Sequence, residues 1–186
     1  MKPLSVSDAL RKLARVRESF RGMINLNFEP KAKNCLTCEE QGVCCTDEHF
    51  VNVRVTSLEG DAIARAVRDL PEALRQRVFE RNGRVARRIQ NLRMSGSEDP
   101  GYSCPLFEPG LGCLVHSTAK PLPCIAHACY ESRDDLPPEE LLEKAEREVA
   151  LLNNRAYGFG WTLREIPFWL AGLHAGTSDS ENGKTG

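Results

Sequence analysis

Eight cysteines in two sets constrain this chain more than any other feature. The first set is Cys35-Leu36-Thr37-Cys38 followed, after five residues, by the adjacent pair Cys44-Cys45. The second is spread along a loop-rich stretch as Cys104, Cys113, Cys124 and Cys129. A Cys-x-x-Cys in a tight turn points two sulfurs the same way, close enough to share one ion through Zn–S bonds of about 2.3 Å. Thiolates are soft ligands, so a thiolate-rich pocket selects zinc, iron–sulfur clusters or copper(I) over magnesium, calcium or manganese. The two sets therefore read as the halves of one metal site, or of two adjacent sites, framed by helices. Neighbouring side chains diverge in extended backbone, so Cys44 and Cys45 share one ion only if the chain bends sharply there. Otherwise they face two ions, bridge them, or leave one cysteine structural.

Two other uses of cysteine compete with this one. A lone free cysteine is usually a small buried hydrophobe, a poor account of eight in these spacings. A disulfide framework is the stronger rival, because the number is even. Against it stands the stretch from Met1 to Phe20, which is charged and amphipathic (Arg11, Lys12, Arg15, Arg17, Glu18) and lacks the apolar core of a secretion signal. The chain thus reads as cytoplasmic, and in a reducing compartment clustered cysteines bind metal or do redox chemistry rather than cross-link. No apolar run approaches the ~20 residues that span a bilayer, so no membrane association is expected. The 186 residues suit one domain, here residues 1–176 with a cluster core at 35–129 and a disordered polar tail at 177–186. The formal net charge of −1 excludes a chain built as a polycation for nucleic acid.

The expected fold class is mostly α, with a short strand and hairpin and irregular Cys-rich loops, stapled by metal. Residues 6–25 carry an apolar stripe (Leu10, Leu13, Ala14, Val16, Phe20) at helical period, with Ser7 or Asp8 as cap and Pro30 as breaker. Phe50 to Val55 alternates as a half-buried strand. Thr56-Ser57-Leu58-Glu59 is a capping box opening a helix to about Asp69. Pro71, at a first helical position, opens another to about Leu92, where Gly83 admits a bend. Cys104 to Val115, around Pro109-Gly110, reads as an irregular hairpin carrying two ligands. Residues 124–130 read as a helical turn with Cys124 and Cys129 on nearby faces, and 139–153 as a helix. Thr162-Leu163-Arg164-Glu165 reads as a second capping box before a short apolar helix. Trp161 and Trp169 read as core packing.

With both cysteine sets placed, the pattern resembles the YkgJ-type cysteine-cluster proteins, a bacterial family described as a zinc- or iron-chelating domain. The likeness runs from about Cys35 to Cys129 and takes in Val55-Thr56, Glu59, Cys104-Pro105-Leu106, Cys113 and Pro121-x-x-Cys124. The insert between Cys38 and Cys44 is longer than that family's pattern. Lys120 stands where arginine is common, and His116 where an aromatic is usual. The resemblance implies Zn²⁺ or Fe as cofactor, an iron–sulfur cluster included, with the eight cysteines as ligands. A similar domain occurs in flagellin lysine N-methylases, which leaves methyl transfer or redox chemistry at an open iron site as the alternative function.

His127, His116 and, less directly, His49 lie close enough in sequence to complete a mixed shell; His174 does not. The Cys-x2-Cys-x5-Cys-Cys spacing matches neither common ferredoxin pattern. No dinucleotide fingerprint, P-loop, serine triad or His-Glu-x-x-His is present. The helical stretch from Arg65 to Arg93 is rich in arginine, so an anionic partner, nucleic acid included, is its sharper reading. A solvated face balanced by the acidic helix 139–148 is the plainer one. No stacking aromatics interleave with these arginines, which weakens single-strand binding. We read the chain as a metal-binding protein and leave any reaction or protein partner open.

Overall fold

The structure is a computed structural model that describes residues 2–33, 42–46, 53–98, 101–130 and 132–175. Cys35, Cys38, His49, the start of the expected strand and the tail 177–186 lie outside these. The fold is mostly helical, with two small antiparallel sheets of two strands each.

The first helix, α1, spans Val6–Asn27 and buries Ala9, Leu13, Phe20 and Ile24, one row along its inner face. Its cap is Ser5, not Ser7 or Asp8: the Ser5 hydroxyl accepts the Asp8 backbone N–H at 3.1 Å. Ser7 and Asp8 already sit in the first helical turn, where a side chain cannot cap from outside. A single turn of helix, α2, covers Val43–Thr46. Strand β1, Arg54–Val55, ends where expected, residues 50–52 lying outside the described residues, and Thr56 caps α3, Ser57–Arg68.

That capping box forms as read from the sequence. The Glu59 N–H reaches the Thr56 hydroxyl at 3.2 Å, and the Thr56 N–H reaches Glu59 Oε2 at 3.1 Å. Helix α4, Glu72–Met94, runs unbroken through Gly83, and Pro71 occupies its cap rather than its first turn. Strands β2, Phe107–Glu108, and β3, Gly112–Cys113, make the expected hairpin, pairing Phe107 with Cys113. Helix α5, Leu122–Ala126, starts and stops earlier than expected, leaving Cys129 beyond its end. Helix α6, Glu139–Tyr157, runs about one turn past its expected end, to Gly158 at φ +79°.

The second capping box does not form. Arg164–Glu165 is instead strand β4, pairing with β1 as Arg54↔Glu165 and Val55↔Arg164, and α7 begins after it at Ile166 and ends at Ala175. The buried Glu165 carboxylate is taken by Arg93 and by Arg54 at 3.5 Å. Two guanidinium partners outweigh one backbone N–H.

Two hydrophobic clusters make the core. One joins α1, α5 and α6 to Leu58 of α3. The other joins Ile63 and Val67 of α3 to Val78, Leu106, Val115, Ile166 and Leu170. Helix α3 belongs to both, and Ala62 packs against each. Its N-terminus is tied to α6 where the Leu58 N–H donates to the fully buried Asn153 side chain at 2.9 Å. Its approach to α7 is so close that a Cβ on Gly60 would lie 2.5 Å from the Trp169 ring. Trp169 is thus core packing, as expected. Trp161 instead lines a cleft beside Leu122 and Pro123.

The arginine face finds acids other than those expected. Arg77 and Arg81 pair with Glu108 of β2, Arg93 with Glu165 of β4, and Arg75 with Glu72 of its own helix. Helix α6 packs on α1, α3 and α5, while α4 packs on α7 and α3. None of these four ion pairs joins α4 to α6. No helix among the described residues is long and apolar enough to cross a membrane.

Candidate metal centre

Three short elements carry the described cysteines, and backbone hydrogen bonds stitch the two sets together. Gly42, at φ +87°, turns the chain into α2, and its carbonyl accepts from Cys45 N–H at 2.8 Å and Thr46 N–H at 2.9 Å. The Cys104 N–H then donates to the Cys45 carbonyl at 2.7 Å, and the Ser103 hydroxyl to the Thr46 carbonyl at 2.5 Å. The first cysteine pair is thereby joined to the start of the second set. Within that set, tight turns close from Phe107 N–H to Cys104 O at 3.2 Å and from His116 N–H to Cys113 O at 3.0 Å. Pro121 and Pro123 fix the entry to α5, which carries Cys124.

Cys44, Cys45, Cys104, Cys113 and Cys124 lie within one another's electrostatic fields. A hydrogen bond from Cys45 pulls the Cys44 thiol down, with help from the Lys120 charge, while the same bond and burial push Cys45 up. The bend of α2 thus lets the adjacent side chains meet, and the pair titrates as a unit. Burial, and after it the charges of neighbouring cysteines, push Cys104 and Cys124 each up to about 12. Burial likewise raises Cys113, against the pull of Lys120 and Arg21. Burial, Cys104 and Cys124 all raise the buried Tyr102, whose hydroxyl donates to the Val53 carbonyl at 2.6 Å.

Cys129 follows the end of α5. Its carbonyl accepts from Lys33 N–H at 2.9 Å, beside the bridge between Ala32 and Tyr130. Lys33 leads into the segment containing Cys35 and Cys38. His116 and His127 are exposed, and burial of their rings with the Lys120 charge lowers both. Among the described residues no group of three or more His, Cys, Asp or Glu is gathered tightly enough to hold an ion. Five half-buried thiols from three segments nonetheless lie close enough for their charges to act on one another.

These shifts carry a prediction for the metal-free, reduced protein. A thiol raised from 9.0 to about 12 stays neutral in the folded chain while the unfolded chain ionises. Its contribution to stability is complete below pH 9 and disappears as pH rises to about 12. The urea midpoint of metal-free protein is expected to fall steadily from pH 9 to 11; a flat midpoint would contradict the burial of Cys104 and Cys124.

Sequence reasoning missed the cations around this centre. Lys120 acts on Cys44, Cys113 and Cys124, and Arg21 of α1 donates to the His116 carbonyl at 2.7 Å. Arg17 is buried on the same helix, with Nε and Nη2 unpartnered, and burial lowers it to about 10 against the pull of Glu59. The available signal was an arginine at 17, inside the row of inward positions 9, 13, 20 and 24, with Arg21 one turn on. No family model, no curated protein and no solved structure matches the chain.

Proposed function

We propose that this chain is a metal-binding protein that chelates zinc or iron, an iron–sulfur cluster included, through Cys35, Cys38, Cys44, Cys45, Cys104, Cys113, Cys124 and Cys129. The supporting observation is that Cys44, Cys45, Cys104, Cys113 and Cys124, all half-buried, come from three separated segments tied by the bond from Cys104 N–H to the Cys45 carbonyl, near enough for their charges to act on one another. Five half-buried thiols gain nothing from packing together as ions, and a soft cation is the partner whose charge offsets their repulsion. A bound ion would supply that charge and fix the thiolate directions. The chain's own part is to bring the sulfurs together through α2, the hairpin and α5, and to keep Lys120 beside them.

The position of the centre suggests what such binding accomplishes. Cys104 and Cys113 pack with the second core cluster, whereas Cys124 sits on α5 between Leu122 and Ile125 of the first. An ion held by both groups would staple the two clusters together. Metal affinity is then folding free energy for this seam. The adaptor reading loses ground, since several arginines of α4 are engaged within the chain.

Amide hydrogen exchange on the full chain, before and after chelator treatment, tests the proposal. Removal of metal is expected to speed exchange in the hairpin and α5 together, by at least tenfold, while the middle of α1 changes little. Exchange that ignores the chelator would sink the reading.

A further inference from the structure

Two arginines from different helices grip the loop that carries Cys104 and Cys113. From α4, Arg81 Nε donates to the Pro105 carbonyl at 3.1 Å, and its Nη1 donates to Glu108 at 2.7 Å. Arg77 holds the other Glu108 oxygen at 2.9 Å, so the acid is fixed on both sides in β2. From α1, Arg21 donates to the carbonyls of His116 at 2.7 Å and Ser117 at 3.4 Å. Each arginine thus holds the backbone next to one hairpin cysteine: Pro105 follows Cys104 directly, and His116 N–H is bonded to the Cys113 carbonyl. Arg81 also keeps a buried Nη2 without any hydrogen-bond partner. A guanidinium fork that binds a carbonyl and a carboxylate at once sets an orientation, which a flexible ammonium does not.

We propose that Arg81 and Arg21 are positioning residues for the cysteine centre, orienting Cys104 and Cys113 before any metal arrives. This rests on the metal-binding reading and adds the groups outside the ligand shell. Such outer partners are typically worth about 10- to 100-fold in metal affinity. Helix α1 belongs to the first core cluster and α4 packs on the second through Val78. The hairpin is therefore held from both halves of the fold.

The test compares wild type with R81M, R81K and R21M as full-length, metal-free, reduced chains. Exchange of the Phe107, Leu114 and His116 amides is measured, followed by titration with Zn²⁺ against a chromophoric chelator. R81M is expected to speed exchange at Phe107 and Leu114, R21M at His116, each with little change in α6. Each variant should lose about tenfold or more in Zn²⁺ affinity. R81K, which keeps the charge without the fork, should recover part of the affinity but not the slow exchange. Should R81M fail to fold, R81K decides the question by its exchange alone. Unchanged exchange, or an equal rise throughout the chain, overturns the proposal. If wild type takes up no Zn²⁺, the metal reading falls, and the exchange comparison still decides whether the arginines order the loop.

Discussion

On the metal-binding proposal, Cys124→Ser is expected to abolish tight uptake of Zn²⁺ and, with it, the stability gain that Zn²⁺ brings. Serine nearly matches cysteine in size, so α5 should still pack through Leu122 and Ile125, and the metal-free variant should resemble metal-free wild type. The loss falls on linkage instead. A ligand present at about a thousand times its dissociation constant stabilises the folded chain by about 4 kcal/mol. Removing the ligand atom on the α5 side of the seam forfeits most of that. Urea unfolding with and without one equivalent of Zn²⁺ reads the effect directly. The natural control is His127→Ala, at an exposed position just past α5, which should leave the metal-dependent increment intact. Equal increments in wild type and C124S would remove Cys124 from the ligand set.

Gly42→Ala is expected to be the most damaging single-methyl change in the described part of the chain. Gly42 sits at φ +87°, and a Cβ there would lie 2.0 Å from Cζ of Phe107. The conformation alone costs an L-residue about 1 kcal/mol. The contact then forces either the Phe107 ring out of its buried place or α2 away from the hairpin. The second response displaces Cys44 and Cys45, because α2 starts from the Gly42 carbonyl. Together these predict a destabilisation of about 3 kcal/mol or more and weakened metal binding. Gly110→Ala separates the two causes: Gly110 has φ +79° but nothing within 4 Å of an added Cβ. A comparable stability loss in both variants would show that the Phe107 contact costs nothing.

Short-range chemistry was readable in the sequence, and longer-range competition was not. The box at Thr56 and Glu59 formed because its partners are three residues apart and nothing else claims them. The same spacing at Thr162 and Glu165 failed because Arg54 and Arg93, far away in the chain, take the Glu165 carboxylate and draw residues 164–165 into a strand. Pro109-Gly110 announced the hairpin, since two positive-φ glycines, 110 and 112, suit its tight turn. The pairing of β1 with β4 had no such signal: two residues on each side carry too little period-two pattern to read. The partners of the arginine face were misjudged for the same reason, because Glu108 and Glu165 are single acids within apolar segments.

The candidate centre was legible as a donor set and not as a geometry. Cysteine spacing assembled the eight names, and the bend at Gly42 reconciles the adjacent pair. The turn expected over 124–130 ends at Ala126, so Cys129 follows it, its carbonyl accepting from Lys33 N–H. Arg21 and Arg81 had no local signature, and Lys120 was marked only as standing where arginine is common: each acts across a tertiary contact. Composition alone hides such residues among the 25 lysines and arginines of the chain.

The most direct test of metal binding is the native mass of the full-length chain, purified reduced and without oxygen, set beside its mass after denaturation in acid. Metal binding predicts a mass excess equal to one or two zinc or iron atoms per chain, or to an iron–sulfur cluster, that disappears in acid. A native mass equal to that of the bare chain, with all eight thiols free and the fold intact, would contradict it.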